Sequence, residues 1–265
     1  MTDRARSEGT RSIPRGVRRG AFHAAVLAAA TCVGLAPAGC AARSAPSCNP
    51  YFPVAKGATW AYRDLRRNGG TSVERRVAVE SVERDDQVVT AVLSQDVETG
   101  GASSGGKGGG RTILRCSGGA VATSVEGAAT TPSGASARVR AELPGFPAAD
   151  RLVAGYEWKS EGRIETRDGY DRSTTAIRRE SRVDGFFPVD TSAGRFPSAL
   201  RVSSVETLRT GDGPRAREAR QEVREWYVRG IGLVKRDTRL ADATGKEQAA
   251  SAEELVRFEG LRADP

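Results

Sequence analysis

The chain has 265 residues, 38% hydrophobic and 28% charged, which is ordinary for a globular protein and enough to bury a sizeable core. Its formal charge is +8, but residues 1–39 carry +4 of it, from Arg4, Arg6, Arg11, Arg15, Arg18 and Arg19 against Asp3 and Glu8. The other +4 is spread over 226 residues in which arginines and carboxylates are interspersed, a pattern of solvated surface that argues against a nucleic-acid partner.

Residues 1–39 read as an export signal. A basic start through Arg18 and Arg19 runs into AFHAAVLAAATCVGLAPAG, an apolar stretch too short, and too interrupted by His23, Gly34 and Pro37, for a comfortable membrane span. Cys32 leaves with that segment. Cys40 closes LAPAGC, which resembles the lipobox of bacterial lipoproteins, where the cysteine is acylated and becomes the new N-terminus; Ala38 and Gly39 match, and Pro37 stands where leucine is usual. The resemblance implies a membrane anchor through the acyl chains of Cys40 and a place in the cell envelope. With Ala41 after the anchor in place of an aspartate, the expected site is the outer membrane, facing the periplasm. The alternative is cleavage after Ala38 and release of a soluble, secreted protein.

Residues 40–48 are then a short tether of small and polar residues. With Cys40 acylated, Cys48 and Cys116 remain as one pair, expected as a disulfide in an oxidising compartment; two separate thiols are the alternative.

From 49 to 262 the chain reads as a single all-β domain, a curved antiparallel meander or open barrel. Turn signals recur at Asn68-Gly69, Asp85-Asp86, Gly118-Gly119, Asp168-Gly169, Asp184-Gly185, Asp212-Gly213 and Thr244-Gly245. Between them Val, Ile, Thr and aromatic residues alternate with Arg and Glu: Val73, Arg75, Val77 and Val79 share one parity in TSVERRVAVESVE, and ALRVSSVETLR and GIGLVKRDTRL behave alike. Segment 217–228 fits a strand or a helix by pattern, and the turn Gly211-Asp212-Gly213 before it with the aromatic end after it favours a strand. Stretches 99–110 (TGGASSGGKGGG) and 127–137 (GAATTPSGASA) hold too little apolar surface to order themselves and are expected as disordered loops. One internal echo joins VAKGATWAYR at 54–63 to VAGYEWKSE at 153–161, each with a Gly-x-x-Trp, and suggests two related half-sheets.

Three motifs also resemble those of a family of uncharacterised exported bacterial lipoproteins. They are Tyr51-Phe52-Pro53 followed by Gly57, Trp60 and Tyr62; Ala193, Gly194 and Phe196; and Trp226, Tyr227, Gly230, Gly232 and Val234. The glycine-rich stretch 99–110 and the absence of a tyrosine after Trp158 depart from the pattern. The resemblance implies a curved sheet or open barrel, distantly similar to periplasmic lipoprotein carriers, and brings no established activity. The motif residues Trp60, Tyr62, Trp158, Phe196, Trp226 and Tyr227 are expected either to fill the hollow of the sheet as core or to line a cleft for a hydrophobic ligand.

The sequence offers little to a catalyst. Its only histidine, His23, falls in the signal, which removes Ser-His-Asp, Cys-His and histidine-metal chemistry from the rest. GASSG at 101–105 lacks the strand-to-helix turn and the base that a hydrolase serine needs, and GASSGGKG has Gly108 where a phosphate loop needs Ser or Thr. Asp168 and Asp171 are better explained by a hairpin turn than by calcium. No catalytic residue, metal site or cofactor is therefore assigned. The expected role is non-catalytic binding or scaffolding of a hydrophobic small molecule or an envelope protein. A histidine-free carboxylate hydrolase acting on envelope polysaccharide is the alternative, and it requires two acids facing one cleft.

Overall fold

The computed structural model describes residues 48–66, 73–99, 108–130, 136–168, 171–213, 216–242 and 244–261. The signal segment, Cys40 and the tether up to residue 47 lie outside these residues. Alternation of apolar and polar side chains builds twelve strands: β1 (Thr59–Arg66), β2 (Val73–Asp85), β3 (Val88–Thr99), β4 (Gly108–Ser117), β5 (Ala120–Thr130), β6 (Ser136–Phe146), β7 (Glu157–Asp168), β8 (Asp171–Thr191), β9 (Gly194–Thr210), β10 (Arg217–Val228), β11 (Gly232–Asp242) and β12 (Glu247–Glu259). Each pairs antiparallel with its neighbour in sequence, and β12 returns to pair with β1, Trp60 opposite Phe258 and Asp64 opposite Glu253. The sheet is therefore a closed barrel, where the sequence suggested a meander or an open one. Segment 217–228 is a strand, with Val223, Glu225 and Tyr227 buried on one parity and Glu222 and Arg224 exposed on the other.

Two local expectations change. Asp184-Gly185 is not a turn but a bulge inside β8: Val183 pairs with Val202 and Gly185 with Arg201, which leaves Asp184 unpaired in the ladder. The Asp184 carboxylate accepts hydrogen bonds from Arg201 Nε (2.8 Å) and Ser203 Oγ (2.6 Å), and Gly185 supplies the φ of +129° that the bend needs. The stretches expected as loops are strand at their described ends: Gly108–Gly110 pair with Gln95–Val97, and Ala128–Thr130 pair with Ser136–Arg138. A neighbouring strand satisfies the backbone of these small residues. Residues 100–107 and 131–135 lie outside the described set.

The echo between 54–63 and 153–161 is also a structural one. Gly57 and Gly155 have φ of +80° and +87°, in turns closed by Ala58 N–H donating to Ala55 O (2.9 Å) and Tyr156 N–H donating to Val153 O (3.0 Å). The glycine N–H groups then donate to Val79 O (3.0 Å) and Val183 O (2.8 Å), and the N–H groups of these valines donate back to Ala58 O and Tyr156 O, both at 2.9 Å. Directly afterwards the ladder skips Glu80 in β2 and Asp184 in β8. Six strands follow each corner, β1–β6 and β7–β12, and the two sets close into one barrel.

Candidate functional site

One end of the barrel is sealed by the segment that enters it. Cys48 is disulfide-bonded to Cys116 of β4, with their Cα atoms 5.9 Å apart. Asn49, fully buried, donates from Nδ2 to Gly119 O (2.8 Å) and Pro147 O (3.1 Å), while its Oδ1 accepts the Tyr51 N–H (3.0 Å). Pro50 O takes the Gly230 N–H at 2.8 Å. So strapped to the β4–β5 turn, the β6–β7 connection and the β10–β11 turn, the chain directs Tyr51 and Phe52 inward. The Phe52 ring lies 4.8 Å from Phe146 and 5.5 Å from Tyr227, and Phe146 in turn lies 5.0 Å from Tyr227 and 5.7 Å from Trp158. Beside this aromatic floor, Trp60 donates from Nε1 to Ile231 O at 2.7 Å.

Above the floor the barrel holds an open cavity of about 800 Å³. Eight strands make a barrel that side chains can fill and sixteen leave a channel, so space of this order is what twelve strands should leave. The lining has two sides. Strands β3 to β7 contribute Leu93, Leu114, Val125 and Ile164, with Thr112 and Thr123 among them. The other side, from β8 round to β2, carries a belt of charge: Arg179 on β8, Glu206 on β9, Glu225 on β10, Arg236 on β11, Glu253 on β12, Asp64 on β1 and Arg75 on β2.

The arginines of the belt are taken up by its carboxylates. Glu225 is 1% exposed; Arg236 donates to its Oε1 from Nε (2.9 Å) and Nη2 (2.6 Å), and Arg179 donates to its Oε2. Arg75 donates to Glu253 Oε1 from Nε (2.9 Å) and Nη2 (2.6 Å), and its guanidinium lies 4.7 Å from the centre of the Tyr62 ring. Tyr62 Oη donates to Leu233 O at 3.0 Å, and burial pushes its hydroxyl pKa up. Burial also works against the Glu225 charge, but Arg179 and Arg236 overrule it and hold the carboxyl at about 2. Glu206 is bound more loosely, its Oε1 3.5 Å from Arg179 Nη1, and there burial prevails and pushes the carboxyl up.

The motif residues therefore divide. Trp60, Tyr62 and Tyr227 line the cavity. Trp158 stacks on Tyr156 (5.8 Å) and meets Phe146 edge-on in the packing around the floor. Phe196 and Trp226 pack against the other core cluster, where the tip of the long β8–β9 hairpin reaches β12 through Ala193 N–H to Leu255 O (3.0 Å) and Ser192 Oγ to Glu254 Oε1 (2.6 Å). The Cys48–Cys116 pair is joined as expected, and Cys40 lies outside the described residues. The ionic belt was not singled out in the sequence, although its trace is there: Arg75, Glu206 and Glu225 sit on the same parity as Val77, Ser204 and Val223, a charge on the face that is otherwise apolar or small.

Among the described residues, no group of His, Cys, Asp and Glu side chains could hold a metal ion, and no helix is long and apolar enough to cross a membrane. No family model matches the sequence, and no curated protein matches it. Solved structures do share the fold. A predicted exported protein with a YmcC-like fold from Bacteroides fragilis superposes with a TM-score of 0.55 at 17% identity, over 80% of this chain and 100% of its own. A predicted lipoprotein from Parabacteroides distasonis gives 0.55 at 16% identity, over 81% of this chain and 100% of its own. The chain is thus an all-β barrel of the kind those two proteins have.

Proposed function

We propose that this protein is exported, anchored in the cell envelope through acylated Cys40, and holds an apolar or amphiphilic small molecule inside its barrel without catalysing a reaction on it. The observation that carries this reading is the cavity of about 800 Å³, floored by aromatic rings and walled on one side by Leu93, Leu114, Val125 and Ile164. Its volume lies within the roughly 300–1,000 Å³ of small-molecule sites. Export is supported by the signal-like residues 1–39, by the Cys48–Cys116 disulfide, and by the descriptions of the two proteins that share the fold as exported and as a lipoprotein. Ala41 after the anchor favours the outer membrane.

Paired interior acids give the hydrolase reading one point of support, since Glu206 and Glu225 meet on the same Arg179 and their pKa values are pushed in opposite directions. Both Glu225 oxygens, however, already accept hydrogen bonds from guanidinium groups, three in all, which leaves that carboxylate poorly placed to act on a sugar or a water. Native mass spectrometry of the protein purified from its own membranes tests the main reading. A mass increase from acyl chains on Cys40 together with a released apolar ligand is the expected result. An unacylated chain with an empty barrel, or hydrolysis of envelope polysaccharide by the pure protein, would refute it.

A further inference from the structure

Resting on the binding reading above, the geometry points to Glu206, with Gln221 beside it, as the polar contact that selects the ligand: an amphiphile whose head donates an N–H or O–H hydrogen bond.

Four carboxylates line the cavity, Asp64, Glu206, Glu225 and Glu253, and the three on β9, β10 and β12 share the arginines of the belt unequally. Glu225 accepts three hydrogen bonds from two arginines, and Glu253 accepts two from Arg75. Among the described residues Glu206 accepts none: the cation beside it, Arg179 Nη1, stands at 3.5 Å with Arg179 directed chiefly at Glu225. Its side chain is nevertheless only 13% exposed. A carboxylate this deeply placed and this poorly partnered carries unspent acceptor capacity, and the cavity is the space beside it in which a partner can stand.

The register adds a second group. Glu206 lies opposite Arg179 on one side and opposite Gln221 on the other, and both Glu206 and Gln221 line the cavity. Leu208, next along β9 on the same parity, continues the row into apolar lining with Ile177 and Ile164. A head bound at Glu206 thus lies where the charged half of the wall meets the apolar half, with its body free to run over Leu114, Val125 and Ile164. The cationic partners in the belt are already neutralised by Glu225 and Glu253, so a carboxylate head would bring an uncompensated negative charge next to Glu206. An ammonium or hydroxyl head supplies the missing donor instead.

The test uses the folded protein from 48 onward in its natural full chain, with N-phenyl-1-naphthylamine fluorescence reporting occupancy of the cavity. Dodecylamine, 1-dodecanol and dodecanoate, equal in chain length, are then titrated as displacers at pH 7. Dodecylamine and 1-dodecanol should displace the dye at concentrations at least tenfold below dodecanoate. Glu206→Gln should shrink the gap between amine and carboxylate about tenfold, each displacer being read against that variant's own dye affinity. Gln221→Leu, which leaves every ion pair of the belt untouched, should weaken the dodecanol preference and serves as the second variant if Glu206→Gln unfolds. Dye that binds but is displaced equally by all three, or an unaltered preference in both variants, overturns the selectivity assigned to Glu206. Dye that does not bind at all overturns the cavity reading itself, and this inference with it.

Discussion

Glu225 is the residue on which the barrel's charged half depends, because it bonds both Arg179 and Arg236. Replacing it with alanine leaves the buried Arg179 and the partly exposed Arg236 without their shared counter-ion, and the expected loss is about 3 kcal/mol in urea unfolding. Its protonation gives a second readout. The folded carboxyl titrates at about 2 and the unfolded one near 4.5, so the stability it contributes is fully present above 4.5 and is lost as the pH falls towards 2. That difference is about 3 kcal/mol, and Glu225→Gln should flatten this part of the acid-unfolding curve. Glu206, with its pKa raised, works in the opposite sense and is relieved as the pH falls. Trp158 is a packing residue of the aromatic floor, touching Tyr156 and Phe146. Thermal unfolding of Trp158→Ala should show a loss of about 3 kcal/mol. A charge on an inward parity was visible in the sequence, but which arginine meets which carboxylate was not. The pairs join residues as far apart as Arg75 and Glu253, brought together only by closure.

At the scale of elements, the two Gly-x-x-Trp corners make the same hydrogen bonds with different residues, so their glycines should answer alike to substitution. A Cβ at Gly57 or Gly155 meets nothing within 4 Å, which isolates the cost of a left-handed backbone from that of a clash. Gly57→Ala and Gly155→Ala should each cost about 1–2 kcal/mol in chemical denaturation, and the double variant should show their sum, since the corners share no partner. Strand identity was largely legible, because two-residue alternation between glycine-rich turns leaves few other readings, and 217–228 follows that rule despite its helix-forming composition. Asp184-Gly185 misled because a bulge and a tight turn both need a glycine at positive φ preceded by a small acceptor. Only the length of β8, 21 residues, tells the two apart, and length emerges from pairing with β9. The glycine run at 108–110 misled in the other direction, since its order is lent by β3 and not written in its own side chains.

For the molecule as a whole, the disulfide and the strap act together. Cys48–Cys116 closes a loop of 68 residues, and constraining the unfolded chain over that length should contribute about 4 kcal/mol. Cys48→Ser with Cys116→Ser should lower stability by that order in denaturant titration, and reduction of the natural protein should reproduce the effect. The pairing of these two thiols was legible by counting cysteines. Closure of the barrel was not, because whether the last strand meets the first depends on the accumulated tilt and stagger of all twelve, and no local pattern records that sum. Closure decides how other molecules can approach. With β1 and β12 zipped together, the rim left unpaired between neighbouring strands of the described ladder is mainly the split between β6 and β7, where the register covers only Arg138–Glu142 against Arg163–Arg167 and Glu157–Gly162 have no partner on β6. A partner lending a strand has that short split to enter and no long free edge, and growth into a fibril would first require prying the β1–β12 seam apart; elsewhere contact with the described body is made through side chains and turns.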